Sequence, residues 1–178
     1  MANIADDITE LVGNTPLLRL HKFEKEAGFE GKILAKLEVF NPTGSVKDRI
    51  AKNMIEQAER DGRLKPGGTI IEATSGNTGI GLAAIAAAKG YQAVIVMPDS
   101  MSKERIRILE AYGAKVVLTP GEKNMGGANE KAAEILEQTE NAIITGQGGN
   151  PSNPEAHYQT TGPEIWKDTG ENVDIFVA

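Results

Sequence analysis

Between residues 69 and 145, short apolar runs alternate with segments of helical length, and this pattern limits the chain to very few folds. Thr69-Ile-Ile-Glu-Ala73, Ala93-Val-Ile-Val-Met97, Lys115-Val-Val-Leu118 and Ala142-Ile-Ile-Thr145 read as strands. The first intervening segment, Ile80 to Lys89, is Ala-rich and apolar all round, so it reads as a buried helix closed by Gly90. The second is capped by Ser102, carries Ile106, Leu109 and Tyr112 on one face, and stops at Gly113. The third runs from near Gly127 to Gln138 with Ala128, Ala132, Ile135 and Leu136, and Gly126-Gly127 reads as the loop before it. Apolar strands separated by helices imply a parallel, doubly wound α/β sheet with helices on both faces.

The flanking segments carry more individual features. Leu11 to Leu20 reads as a turn followed by a short strand, and Gly31 to Val39 as a second strand. Asn41-Pro-Thr-Gly-Ser45 then leads into a helix with Val46, Ile50, Met54, Ile55 and Ala58 on one face. Ser45 is a good N-cap, and Ser45-x-x-Asp48 has capping-box spacing. Lys47 therefore falls in the first turn, where the positive end of the helix dipole disfavours a cation. That position favours the neutral amine that a Schiff base with an aldehyde requires; a solvated surface lysine is the plainer reading. Arg63-Leu-Lys-Pro-Gly-Gly68 breaks the helix. After residue 145, a Gly-rich loop reaches Asn153, with Ser152 and Asn153 expected to cap a helix opened by Pro154. Gly162-Pro163 should bend or break that helix, and Val173 to Ala178 reads as another buried strand.

Composition narrows the chemistry. At 178 residues the chain is about one domain, and 40% hydrophobic with 25% charged residues is ordinary for a soluble globular protein. A net charge of -6 without a basic cluster argues against nucleic acid or a membrane surface as partner. The absence of cysteine excludes disulfides and thiolate metal sites and fits a reducing, cytoplasmic compartment. Two histidines far apart make no metal-ligand cluster. The acidic stretch from Met1 to Asp7 does not read as a secretory signal, and no apolar run approaches membrane-spanning length.

Thr74-Ser-Gly-Asn-Thr-Gly79 joins a strand to a helix. Such a loop offers backbone N–H groups and hydroxyls to an anion, although a tight turn needing glycine and caps explains it equally well. Its glycines run G-x-x-G-x-G, which is not the dinucleotide fingerprint, and no Gly-Lys-Ser/Thr follows as in a P-loop. Ser75 is not in a G-x-S-x-G nucleophile elbow. Gln147 follows a strand and, in a parallel sheet, shares an edge with the 74–79 loop, where it serves either as a carboxylate donor or as a solvated amide. His21 and His157 read as surface or capping histidines.

Taken together, several stretches resemble the O-acetylserine sulfhydrylases (cysteine synthases) of the fold-type II pyridoxal phosphate-dependent family. They are Gly13-Asn-Thr-Pro-Leu17, Asn41-Pro-Thr-Gly-Ser-Val-Lys-Asp-Arg49, Glu72-Ala-Thr-Ser-Gly-Asn-Thr-Gly-Ile-Gly81, Val96-Met-Pro98, Gly113-Ala114, Asn150-Pro-Ser-Asn-Pro154 and His157 through Trp166. The resemblance implies a tryptophan synthase β-like fold. Lys47 would bind pyridoxal 5'-phosphate covalently and serve as base and acid at the substrate α-carbon. Asn77 would bond the cofactor's ring oxygen. Thr74, Ser75, Asn77, Thr78 and Gln147 would hold the substrate α-carboxylate. The implied reaction is β-replacement: O-acetyl-L-serine loses acetate and sulfide takes its place, giving L-cysteine.

Two departures accompany the resemblance. The family has phenylalanine where this chain has Gly148, which opens the pocket wall. Family chains are also much longer, so residues 1–40 are expected to be strands of a large domain, 41–146 a small α/β domain, and 147–178 the start of the incomplete large domain. The resemblance further implies a homodimer and an acetyltransferase tail as partner. The competing readings are a related enzyme such as cystathionine β-synthase, a catalytically incomplete paralogue acting as a binding module, and a nucleotide-binding doubly wound module.

Overall fold

The computed structural model describes residues 4–178; the first three residues of the acidic N-terminal stretch lie outside them. Its centre is a four-stranded parallel sheet. Strands β3 (Thr69–Ala73), β4 (Gln92–Pro98), β5 (Lys115–Thr119) and β6 (Ala142–Ile144) are ordered β5-β4-β3-β6. Ile71 pairs with Val94 on one side and Ile144 on the other. A separate antiparallel pair is formed by β1 (Leu17–Arg19) and β2 (Leu34–Lys36), flanking α1 (His21–Glu26). The expected second strand stops early because Glu38–Phe40 turns into a 3-10 helix.

Helix α2 (Lys47–Arg60) is amphipathic as its spacing implies: Ile50, Met54, Ile55 and Ala58 are all but fully buried. Helix α3 (Asn77–Lys89) is buried nearly all round, and Gly90, at φ 76°, ends it in the left-handed conformation that glycine adopts without penalty. Helices α4 (Lys103–Ala111) and α5 (Asn124–Glu137) complete the cover. Ile71, Val94 and Val96 pack with Ala128 and Ala132 of α5, while Ile70 and Ile95 belong to the larger core with α2 and α3. The period-two alternation of strand side chains thus supplies two layers of core from one sheet.

The α2–α3 contact is close because residue 81 has no side chain. A Cβ there would lie 3.2 Å from the Ala51 Cβ and from the Lys47 carbonyl oxygen. Valine at Gly81 is therefore expected to cost about 1–3 kcal/mol through overpacking, read as a lower urea midpoint. It should also push the first turn of α2 away from α3.

Several local expectations are corrected. Gly126 and Gly127 lie inside α5, which begins at Asn124. Ser152 and Asn153 do not cap their helix; they lie within α6 (Ser152–Ala156), and the side chain of Asn150 accepts from the Ser152 N–H at 3.0 Å. Gly162-Pro163 does not break the chain: α6 passes through a π-helical turn, His157–Thr161, into α7 (Gly162–Asp168). Such a turn shifts the hydrogen-bond pattern and accommodates a proline that has no N–H to donate. Val173 to Ala178 is not a buried strand. Ile175, Phe176 and Val177 are exposed and pair with no other strand among the described residues. No helix of the described residues is long and apolar enough to cross a membrane.

Candidate active site

The strand order creates the site. Successive strands step from β3 through β4 to β5, and then the chain returns to place β6 on the other side of β3. The direction of winding therefore reverses between β3 and β6, and ligands of open α/β sheets bind in the crevice beyond the carboxyl ends of strands at such a point. The loop following β3 carries Thr74, Ser75 and Gly76 into α3, and the loop following β6 carries Gln147. A hydrogen bond from Thr78 Oγ1 to Gln147 Oε1, at 2.5 Å, joins the two. Bonding through Oε1 leaves the amide Nε2 of Gln147 as its donor end.

The loop after β3 is shaped locally. The Thr74 hydroxyl accepts from the Gly76 N–H at 3.3 Å, and the Ser75 carbonyl accepts from Arg105 of α4 at 2.9 Å. Asn77 and Thr78 occupy the first turn of α3, whose opening N–H groups have no intrahelical acceptor. A Cβ at Gly79 would lie 2.9 Å from Thr74 Cγ2, so glycine lets the loop fold against the helix.

Lys47 is the first residue of α2, half-buried, and its N–H donates to Ser45 Oγ at 3.2 Å. Ser45 does not cap the helix as its position implies: Val46 is the N-cap and carries no side-chain cap bond, and the Asp48 N–H donates to the Ser45 backbone carbonyl at 3.2 Å, so the capping box is absent. Asp48 instead accepts from the Thr43 N–H at 2.7 Å and from the Thr43 hydroxyl, bracing the Pro42–Ser45 turn. Asp48 is 1% exposed, and burial, only partly offset by the Thr43 bonds, raises its pKa. The Lys47 carbonyl faces Gly81, and Asn77 lies one turn earlier on the same side of α3. The first turn of α2 is thereby brought against the start of α3, which follows the Thr74–Gly76 loop.

Behind Lys47 lies a charged cluster that sequence reading missed. The Arg49 side chain is 1% exposed and reaches Glu38 at 2.7 Å and Glu164 at 2.6 Å. Lys36 pairs with Glu164 at 2.8 Å, and Thr15 donates to Glu38 at 2.6 Å. Burial alone would raise both carboxyl pKa values. Hydrogen bonds from Arg49, Thr15 and Asn41 instead bring Glu38 below its ordinary range, and those from Arg49, Lys36 and the Asn14 N–H bring Glu164 to about 2. Four sequence-distant segments meet here, so no spacing pattern announced the cluster; an arginine within an otherwise apolar helix face was the single visible trace. His157, half-buried and 2.9 Å from Thr161 Oγ1, has its pKa lowered by burial and by the charges of Lys47 and Arg49. His21 is exposed at the start of α1.

The site thus sets the start of the lysine-bearing helix beside α3 and the loop of hydroxyls, amides and helix N–H groups at the switch point of a parallel sheet. That donor set fits an aldehyde held by the amine and a carboxylate held by the loop. The architecture is that of an open, doubly wound α/β sheet that packs a lysine-bearing helix against a Gly-rich strand-to-helix loop at its switch point. The sequence profile described as "Pyridoxal-phosphate dependent enzyme" matches residues 8–178, and the chain belongs to that family. It is 53% identical over 181 residues to a probable cysteine synthase of Bacillus subtilis, covering 100% of this chain and 58% of that protein. It is 51% identical over 174 residues to a cysteine synthase of Staphylococcus aureus, covering 97% of this chain and 55% of that one. The crystal structure of O-acetylserine sulfhydrylase isoform 3 from Entamoeba histolytica superposes with a TM-score of 0.90 at 50% identity, covering 97% of this chain and 52% of that chain. The chain spans about half the length of the relatives it matches.

Proposed function

We propose that this chain carries the lysine and the substrate-carboxylate clamp of a cysteine synthase, which makes L-cysteine and acetate from O-acetyl-L-serine and sulfide. The observation that carries this reading is the Thr78–Gln147 bond across the switch point, with Lys47 brought beside it by the close packing at Gly81. The relatives' printed activity supports the choice of reaction.

When bound, pyridoxal phosphate supplies an aldehyde for amine capture and a conjugated ring that accepts the electron pair left by loss of a proton from the α-carbon. Lys47 holds the cofactor through its amine. Lys47, with its amine free, would take the proton from the substrate α-carbon and later return it. Asn77 would donate a hydrogen bond to the cofactor's ring oxygen. Thr74, Ser75, Asn77 and Thr78, with the donor end of Gln147, hold the α-carboxylate against the positive end of α3. Residues 41–146 form the small domain, and residues 1–40 and 147–178 contribute to a larger one. The whole protein works in the cytoplasm as a homodimer, and the carboxylate clamp also accepts the C-terminal tail of an acetyltransferase.

Cofactor-loaded protein supplied with O-acetylserine and sulfide is expected to release cysteine and acetate in equal amounts; no cysteine would overturn the reading. Asn77→Ala or Gln147→Ala is expected to raise KM for O-acetylserine by about tenfold, the effect of losing one charge-assisted hydrogen bond. Cofactor affinity should change less than substrate affinity in both variants. An unchanged KM would remove these residues from the clamp.

A further inference from the structure

Glu72 is a buried carboxylate in the middle of the molecule, 3% exposed, and the chemistry proposed above gives it no part. Its partners are a hydroxyl and two backbone N–H groups rather than a cation. It accepts from Thr145 Oγ1 at 2.5 Å, from the Gly146 N–H at 2.7 Å and from the Gln147 N–H at 3.3 Å. All three donors belong to the loop after β6. A carboxylate is an acceptor only, and two adjacent N–H groups converging on one carboxylate set the orientation of the backbone that bears them.

Glu72 stands on β3 two residues before Thr74, where the loop after that strand begins. Both halves of the clamp therefore radiate from it. One half follows along the chain into residues 74–78. The other is tied across the switch point by hydrogen bonds to residues 145–147. The loop after β6 has a left-handed turn at Gly146, φ 61°; its carbonyls are tied by Asn150 Nδ2 at Thr145, by the Gly149 and Asn150 N–H groups at Gly146, and by Asn153 Nδ2 at Gln147, and its Thr145 N–H donates to the Ile71 carbonyl. The ties at the carbonyls fix that side of the loop; Glu72 alone receives the N–H side of residues 146 and 147.

We infer that Glu72 is the positioning residue of the carboxylate clamp: it sets the loop after β6 so that Gln147 meets Thr78 and presents its amide N–H to the substrate. This rests on the proposal that residues 74–78 and 147 bind an α-carboxylate. Glu72 touches neither substrate nor cofactor. It acts by holding two loops in one register before a ligand arrives, so its loss weakens carboxylate binding without affecting capture of the cofactor by Lys47.

The test is Glu72→Gln, which keeps the shape but turns one acceptor into a donor facing N–H donors. In the cofactor-free protein, amide hydrogen exchange at Gly146 and Gln147 is expected to quicken at least tenfold, while Ile71 and Val94 in the sheet keep their rates. In the pyridoxal phosphate-loaded protein, spectral titration is expected to show L-alanine binding at least tenfold more weakly. Ethylamine, which has the amine but no carboxylate, should bind as in the parent. Unchanged exchange at 146 and 147, faster exchange throughout the sheet, or equal weakening of alanine and ethylamine would each overturn the inference. If the parent itself does not prefer alanine to ethylamine, the carboxylate reading fails, and the exchange rates still decide whether Glu72 holds the loop. Should the glutamine variant not fold, Thr145→Val removes one donor and keeps a β-branched residue in place. Its expected result is faster exchange at 146 and 147 alone, and unchanged rates there would sink the proposal.

Discussion

Alanine at Lys47 is expected to abolish covalent capture of pyridoxal phosphate and to lower turnover by on the order of 10³-fold or more, the scale of a lost proton-transfer group. The parent protein, mixed with the cofactor and reduced with borohydride, should gain the cofactor's mass less one oxygen (water lost on condensation, two hydrogens gained on reduction) on the peptide containing Lys47; the variant should show no such gain there. The fold should survive. Lys47 is half-buried at the first position of α2, and the hydrogen bond it makes to Ser45 Oγ uses its backbone N–H, which alanine keeps. The thermal midpoint is therefore expected to move by little, as for most substitutions at partly exposed sites. A reduced adduct that persists in the variant, on another lysine, would remove Lys47 from its role.

The second large effect is one of stability. Arg49→Ala leaves Glu38 and Glu164 without the guanidinium that lies between them, their side chains 18% and 15% exposed. Removing one partner of a buried ion cluster costs about 3–5 kcal/mol because charge is left behind in a desolvated place; here Glu38 loses its cation and Glu164 keeps only Lys36. For a chain of this size the thermal midpoint should fall by roughly 10 °C. Acid modulates the loss in a defined direction. Glu164 has a folded pKa of about 2 against an ordinary value of 4.5. Its contribution is complete above the unfolded pKa and declines as the pH falls from about 4.5 towards 2. Glu38, also lowered, acts in the same sense. The difference in midpoint between parent and variant should therefore be largest near neutrality and shrink in acid. A gap that stays constant from pH 7 to pH 3 would show that Arg49 contributes packing rather than charge pairing.

The cluster also has a bearing on function. Arg49 lies two residues after Lys47 on α2, and its partners come from the turn at Thr15, the Glu38–Phe40 helix and α7. Three elements outside the parallel sheet thus grip the start of the helix that presents the lysine. The other side of α2 is tied to α6 by Asn53 Nδ2, which donates to the Ser152 carbonyl at 2.7 Å. In the role proposed for Lys47, a helix start held on two sides is an advantage, because effective catalysis demands placement within fractions of an ångström.

Much of the fold was legible in order along the chain. The strands at Thr69, Gln92, Lys115 and Ala142 announce themselves by apolar runs, and α2, α3 and α4 by periodicity and glycine stops, because these signals depend on neighbours within a few residues. The errors fell where a distant contact overruled a local preference. Gly126 and Gly127 look like loop residues, yet they are held within α5, which packs on β3 and β4 through Ala128 and Ala132. Gly162-Pro163 looks like a break, yet the π-helical turn preserves continuity while Glu164, one residue on, pairs with Arg49 and Lys36. Val173 to Ala178 has the composition of a buried strand, but composition does not provide a neighbouring strand to pair with.

The sequence by itself determined the strand–helix alternation, the first-turn position of Lys47 and the loop chemistry of residues 74–79, since each is a matter of residue type and short spacing. Only the tertiary structure decided that Gln147 meets Thr78, that Glu72 spends its buried carboxylate on the loop after β6, and that Arg49 joins Glu38 to Glu164. Their partners lie 69, 74, 11 and 115 residues away along the chain. Which distant group satisfies a buried charge depends on strand order and helix packing, and these follow from burying apolar surface over the whole chain rather than from any one segment.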